Sequence, residues 1–293
     1  MRILVTGASG MLGSTLAIEL SRNHKVFGTG NSDITLPIDY RVFDLSNESY
    51  KELIDWSQPE LIIHCAAITN GNYCQENCLK AIDVNGVSVH KILNATNTTT
   101  KIIYISTDAV FSSSLHMAKE VHSVFPENIY GKSKELGEFF LNNSQDRQYT
   151  IIRTTIVGLN INKNRIGFVE WIINTAKENK KLELFTDVLF TPISIWDLVD
   201  EINFLINTDN INSETIHIGG ELCTKFDFGS KLLKTLNIST KNLSKRLISS
   251  FEGRAKRSND QSLDSDFYQK KYKRDSTSLD QTILKIKENY EHN

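Results

Sequence analysis

The sequence predicts an α/β fold, a doubly wound parallel sheet carrying a second, smaller α/β lobe. Three observations lead there. Short β-rich runs alternate with amphipathic stretches through the first half of the chain, several runs are apolar throughout, and Gly7, Gly10 and Gly13 stand where the first run gives way to the first amphipathic stretch. Parallel neighbours require crossovers, and strands covered on both faces read as unbroken apolar runs.

In order, "RILV" is the first expected strand and Met11 to Arg22 the first helix, followed by strands at "KVFG" and "YRVF" and a helix from Glu48 to Trp56. "ELIIHCAA" forms the fourth strand, Glu76 to Ala95 a helix, "KIIYIS" the fifth strand, and Tyr130 to Leu141 the next helix. "YTIIRTTIV" reads as a sixth strand, after which the pattern loosens. A helix over Phe168 to Glu178, a strand at "LELF", a helix from Ser194 to Asn207 and a strand at "TIHIGG" follow, then helices at Phe228 to Leu236 and Leu279 to Asn289. The order is that of a Rossmann-like domain over residues 1–155, with 186–218 returning to it and 156–293 otherwise forming the smaller substrate-binding lobe. The two lobes are expected to meet at a shared cleft.

The chain of 293 residues is long enough for one large domain or two modest ones, and a net charge of -2 gives no reason to expect nucleic acid or a membrane surface as partner. A small molecule is the expected partner. The opening apolar run ends too soon for a secretory leader, and no stretch approaches the roughly 20 apolar residues that span a bilayer, so a cytoplasmic protein is expected. Cys74 and Cys78 are spaced to share a helix face, but no second pair at ligand spacing accompanies them. The thiols are expected to be buried or idle, and no metal site is expected.

The glycines fall at a strand-to-helix turn, where free backbone N–H groups and the helix dipole can hold a pyrophosphate. In that arrangement Gly7 permits the tight turn, Gly10 the approach of phosphate, and Gly13 close packing of helix on sheet. The second strand ends "VFGTGNSD", with no carboxylate until Asp33 where an NAD-specific site carries an acid for the adenosine ribose. A ribose phosphate would meet no repulsion there, which favours NADP, or NAD alongside it, although no arginine stands nearby in sequence. Asp44, followed by Leu45, lies just past the third strand, placed to accept from the adenine amino group or to cap the next helix.

In "YGKSK", Tyr130 and Lys134 are four apart and lie one above the other on a helix. An ammonium one turn away favours the phenolate and is expected to lower the tyrosine pKa from its ordinary value near 10. The fifth strand delivers Ser106, Thr107 and Asp108 to the edge where open α/β sheets bind ligands.

With these motifs in hand, the sequence resembles the extended short-chain dehydrogenase/reductase family, and within it the reductases of nucleotide-linked 4-keto-6-deoxy sugars. The resemblance covers nearly the whole chain: "TGASGMLG", "CAAITN", "DVNG", "ISTDAVF", "YGKSKELGE", "IIRTTIVG" and "RSNDQSLD". Those reductases carry Arg-Pro-x-Asn-Ser-x-Leu-Asp in the substrate lobe; this chain keeps Arg257, Leu263 and Asp264 at the same spacing but has Asp260 and Gln261 in place of Asn-Ser. The resemblance implies that Tyr130 is the general acid, that Lys134 tunes it and binds the nicotinamide ribose, that Thr107 bonds the substrate oxygen, and that Asp108 orients the site. It implies that Gly7, Gly10, Met11, Leu12, Asp44, Leu45, Ala66, Ala67 and Asn85, with Tyr130 and Lys134, line an NADP or NAD site. It also implies that Arg257 faces the nucleotide diphosphate, within a basic cluster of Lys241, Lys245, Arg246, Arg254 and Lys256. The activity implied is hydride transfer to C4 of the keto sugar, for surface polysaccharide, with a homodimer left open.

Two departures stand out. Ala109 replaces an aromatic after Thr-Asp, which alters the expected floor of the sugar pocket, and "SSSLHMAKEVHS" brings His116 and His122 near the site in sequence. The alternatives are an epimerase or dehydratase of the same family, which keeps its cofactor bound, and a regulatory subunit on the same scaffold.

Overall fold

The computed structural model describes residues 1–293 apart from 47, 251–254, 257 and 293. The chain opens with β1 (Arg2–Thr6), α1 (Met11–Leu20), β2 (Lys25–Gly30), β3 (Asp39–Val42), α2 (Tyr50–Ser57) and β4 (Leu61–His64). Short helices α3 (Gly71–Glu76) and α4 (Cys78–Ile82), a π turn at Asp83–Val87, and α5 (Ser88–Ala95) lead to β5 (Lys101–Thr107), α6 (Ile129–Asn142) and β6 (Tyr149–Val157). Next come α7 (Phe168–Lys177), β7 (Leu182–Phe185), β8 (Leu189–Phe190), β9 (Pro192–Ser194), α8 (Ile195–Asn207) and β10 (Glu214–His217). The chain closes with β11 (Cys223–Thr224), α9 (Lys225–Thr235), β12 (Leu243–Arg246), β13 (Asp260–Gln261), α10 (Asp266–Tyr272) and α11 (Leu279–Glu291).

Eight strands form one parallel sheet in the order β10-β6-β5-β4-β1-β2-β3, with β9 also paired to β6. The order reverses between β1 and β4, and the crevice beyond the carboxyl ends of the strands at such a switch is where open α/β sheets take ligands. Ile3, Val5, Ile63 and Ile103 face α1 and α8 on one side, while Leu4, Ile62, Ile102 and Tyr104 face α2 and α5 on the other. Every one of these side chains is buried, which explains why the strands read as unbroken apolar runs. A separate core of Val169, Ile172, Leu184, Phe190, Phe228 and Ile283 holds the second lobe together.

The helix expected from Glu76 to Ala95 is broken. Asn77 leaves helical geometry (φ -123°, ψ 54°), and the π turn rolls Asn85 inward, where its amide accepts from Ile68 N (2.7 Å) and donates to Ile68 O (3.0 Å) and Ser133 Oγ (2.9 Å). Gly86 lets α6 approach, since a Cβ there would lie 2.8 Å from the Ser133 carbonyl oxygen. Single-turn π segments of this kind recur where a helix must aim a side chain off its regular face. Helix α10 and the short strands β8, β9 and β11 to β13 have no strong periodic signal and take their form from tertiary contacts.

Candidate active site

Gly7 has φ +71°, a left-handed backbone that glycine adopts freely, and a Cβ there would sit 2.7 Å from the Ala66 backbone. A Cβ on Gly13 would overlap the Gly7 carbonyl, so Gly13 packs α1 against the turn itself. The amino end of α1 has Gly10 as its cap, without a side-chain hydrogen bond and without an acid in the first turn. Helices α2, α3, α6, α8, α9 and α11 each begin with a side-chain cap instead. The free N–H groups of α1 open into a cleft made of two joined cavities.

The first cavity, about 360 Å³, is lined by Gly7, Ser9, Gly10, Asp44, Leu45, Ala66 and Ala67 among others. The second, about 820 Å³, is lined by Gly10, Met11, Leu12, Ala67, Thr107, Asp108, Tyr130 and Lys134 and by residues of the second lobe up to Phe168. All of the site residues expected from sequence line one cavity or the other, with two exceptions. Asn85 does not: its amide is used up on Ile68 and Ser133, so it holds the cleft wall from behind. Arg257 lies outside the described residues, as does Arg254 of the basic cluster. Asp44 does not cap the next helix, whose cap is Ser49; it accepts from Ser46 N (2.9 Å) and Ser46 Oγ (2.6 Å) in the turn before it.

At the far end, β5 and β6 run in parallel register with Thr107 opposite Thr154. Thr107 Oγ1 donates to Asp108 Oδ1 (2.7 Å) and accepts from Ala109 N (3.2 Å), and Thr155 donates to the other carboxylate oxygen of Asp108. The Tyr130 phenol, in the first turn of α6, lines the same cavity as the Thr107 hydroxyl, whose influence favours the phenolate. Burial raises the Asp108 pKa against the lowering effect of these hydroxyls.

One turn on, Lys134 is 1% exposed, its Nζ lies 3.9 Å from the Tyr104 ring centroid, and it has no hydrogen-bond acceptor. Burial brings its pKa down to about 7, with Glu138 pulling the other way. The expected lowering of the Tyr130 pKa is reversed: burial raises it, and the Thr107 hydroxyl offsets only part of the rise. The physical reason is desolvation, which acts against the phenolate and the ammonium alike.

Glu138, a further turn along, is buried against Arg153 (Nη2 to Oε2 2.6 Å, Nε to Oε1 3.0 Å) and accepts from Ser106 Oγ (2.5 Å). This pair fixes α6 to β5 and β6 beneath the site, a role the sequence signalled only as the last letter of "YGKSKELGE".

The two loop histidines do not line the cleft. His116 Nδ1 pairs with Asp260 (2.7 Å) and His122 Nδ1 accepts from Lys119 N (3.1 Å). Leu263 bridges to Ala118 and Asp264 N donates to Ala118 O (2.8 Å), so this part of "RSNDQSLD" clamps the loop. Ala109, where the family has an aromatic, is buried with its carbonyl against Gly131 of α6 and lines neither cavity.

The arginine that sequence did not place near the end of β2 arrives from the loop between β6 and α7. Arg165 Nη2 donates to Asn31 Oδ1 (2.7 Å) and to Ser32 Oγ (3.3 Å), and it lines both cavities.

The cleft suits a nicotinamide dinucleotide. An uncapped helix end can take a diphosphate at one end, and at the other a buried lysine amine without a hydrogen-bond partner lines the same cavity as Thr107 and Tyr130.

Comparison with known proteins agrees. The spore coat polysaccharide biosynthesis protein SpsK of Bacillus subtilis is 27% identical over 247 residues, which cover 83% of this chain and 82% of that one. The crystal structure of dTDP-4-dehydrorhamnose reductase from Bacillus anthracis in complex with NADP is 26% identical with a TM-score of 0.83, covering 97% of this chain and 98% of that one. That of a dTDP-4-dehydrorhamnose reductase from Clostridium acetobutylicum is 26% identical with a TM-score of 0.85, covering 100% and 99%. The family model described as RmlD substrate binding domain matches residues 1–291, and the chain belongs to that family.

Proposed function

We propose that the protein is an NADPH-dependent reductase, able to use NADH, of a nucleotide-linked 4-keto-6-deoxy sugar in deoxysugar biosynthesis for surface polysaccharide. The observation that carries this reading is the Lys134 amine, buried without a hydrogen-bond partner one helical turn from a phenol that lines the same cavity as the strand-end Thr107 hydroxyl. Residues 1–155 with the return from β9 to β10 form the dinucleotide lobe, against which α10 also packs through Tyr268; β8, whose Phe190 sits in the second core and which was expected to return with 186–218, and the rest of 156–293 form the substrate lobe.

Bound NADPH supplies the hydride that reduces the ketone carbon. Burial keeps the Tyr130 phenol protonated at neutral pH, so its proton is in place for the ketone oxygen. Thr107, its own proton directed to Asp108, holds the phenol in position. Lys134 binds the ribose hydroxyls and, when protonated, stabilises the phenolate left after proton transfer. Gly7, Gly10, Met11 and Leu12 receive the diphosphate, Asp44 and Leu45 the adenine, and Ala66 and Ala67 line the wall. Arg257 belongs to the proposal as the contact for the sugar nucleotide diphosphate. Among the described residues no helix is long and apolar enough to cross a membrane, and Cys65, Cys74, Cys78 and Cys223 are free thiols, which fits a reducing cytoplasm.

The test is consumption of NADPH with a nucleotide-linked 4-keto-6-deoxy sugar. One NADPH oxidised per alcohol formed is expected; isomerised sugar without net oxidation would establish an epimerase instead.

A further inference from the structure

We propose that Arg165 reads the 2′-phosphate of NADP, making the β6–α7 loop the element that selects NADP over NAD. The inference deepens the reductase reading and rests on it. In a dinucleotide fold the end of β2 lies at the adenosine ribose, and an acid there selects NAD while an arginine accommodates the extra phosphate. Here the strand ends on Gly30, and no side chain fits in its place: a Cβ would lie 2.9 Å from Ser9 Cβ and 2.9 Å from the Tyr40 hydroxyl. Packing thus disfavours a carboxylate at position 30, and the sequence places none at 31 or 32.

Around this backbone stand four groups able to donate to an anion. They are the guanidinium of Arg165, the amide of Asn31, and the hydroxyls of Ser32 and Ser9. The Tyr40 phenol donates to Ser32 O (2.5 Å) and feels Arg165, with Asp33 as the carboxylate at the edge of the group. In the structure Arg165 is held by two neutral oxygens, which leaves its charge uncompensated by those bonds and guanidinium N–H groups to spare for a phosphate.

The loop that delivers Arg165 is built to hold its reach. Glu170, in the first turn of α7, accepts from Asn160 N, from Asn160 Nδ2 (2.9 Å) and from Gly167 N (2.6 Å), tying both ends of residues 160–167 together. The adjacent Ile166 lines the same cleft yet is 68% exposed, an apolar side chain that gains cover when the cleft is filled. Arg165 thus spans from the second lobe to the adenosine end, and the extra phosphate would bridge the two.

The test is calorimetric titration of the whole protein with NADP⁺, NAD⁺, 2′,5′-ADP and ADP, for wild type, Arg165→Ala and Arg165→Lys. Wild type should prefer NADP⁺ to NAD⁺, and 2′,5′-ADP to ADP, by about tenfold to a hundredfold, the range of one charge-assisted phosphate contact. Arg165→Ala should erase both preferences while leaving the NAD⁺ and ADP affinities within about twofold, and Arg165→Lys should keep part of them. Equal weakening of NADP⁺ and NAD⁺ by Arg165→Ala would move the residue to the diphosphate and overturn the inference, as would a wild type without preference. Failure of wild type to bind either dinucleotide would instead overturn the reductase reading and this inference with it.

Discussion

Replacing Lys134 by Met should stabilise the ligand-free protein while abolishing turnover. The side chain is buried, its ammonium has no acceptor, and burial brings its pKa from 10.5 to about 7. Because the folded value lies below the unfolded one, the unfolded chain binds a proton between those two pH values that the folded chain does not. Stability therefore rises with pH across that window. At about 1.36 kcal/mol per pH unit, the lysine costs the folded state about 4 kcal/mol near pH 7.5, about 2 kcal/mol near pH 9, and almost nothing above its unfolded pKa. Methionine keeps an unbranched chain against the Tyr104 ring and carries no charge to desolvate. Urea denaturation near pH 7.5 and pH 9 should show a gain that halves between them, with turnover lost at both. A destabilised variant, or a gain that does not change with pH, would refute the argument that burial without a hydrogen-bond partner drives the proton off Lys134.

Tyr130→Phe should lower turnover by about 10² to 10⁴ while leaving the NADP dissociation constant within about twofold, measured by steady-state kinetics and titration. Retention of more than a tenth of the activity would remove the phenol as acid. Arg153→Met, which strands the buried Glu138 carboxylate, should cost about 3 to 5 kcal/mol in urea denaturation, and adding Glu138→Gln should recover a large part. Additive losses would show that the two do not act as a pair. Gly13→Ala, whose Cβ overlaps the Gly7 carbonyl, should cost about 2 kcal/mol or more and weaken both dinucleotides, read by thermal unfolding and titration. An unperturbed variant would mean the turn is far softer than its packing implies.

The order of the first six strands and the glycine turn were legible because both rest on local signals: unbroken apolar runs, and a backbone conformation that few residues adopt. Thr107, Tyr130 and Lys134 were legible for the same reason, since strand-end position and helical spacing place them without knowledge of the rest. What escaped the sequence depends on distant segments. Arg165 lies more than a hundred residues from Asn31, and nothing in "NINKNRIG" marks it as a neighbour of β2. The family resemblance of "DVNG" marks Asn85 as a cofactor contact, but the π turn that redirects it is formed by packing against α6. Tyr130 shows the same limit in electrostatics: helical spacing gives the proximity of a cation, whereas the depth of burial decides which way the proton equilibrium moves.

The β6–α7 loop and the return of β9 and β10 to the central sheet mean that the polypeptide passes back and forth between its two halves. Tyr268 packs into the main core while Leu279, only a few positions later, packs into the other. Neither half is a transplantable module, so exchanging specificity with a relative demands several grafted segments. For the same reason, limited proteolysis should release no autonomous fragment.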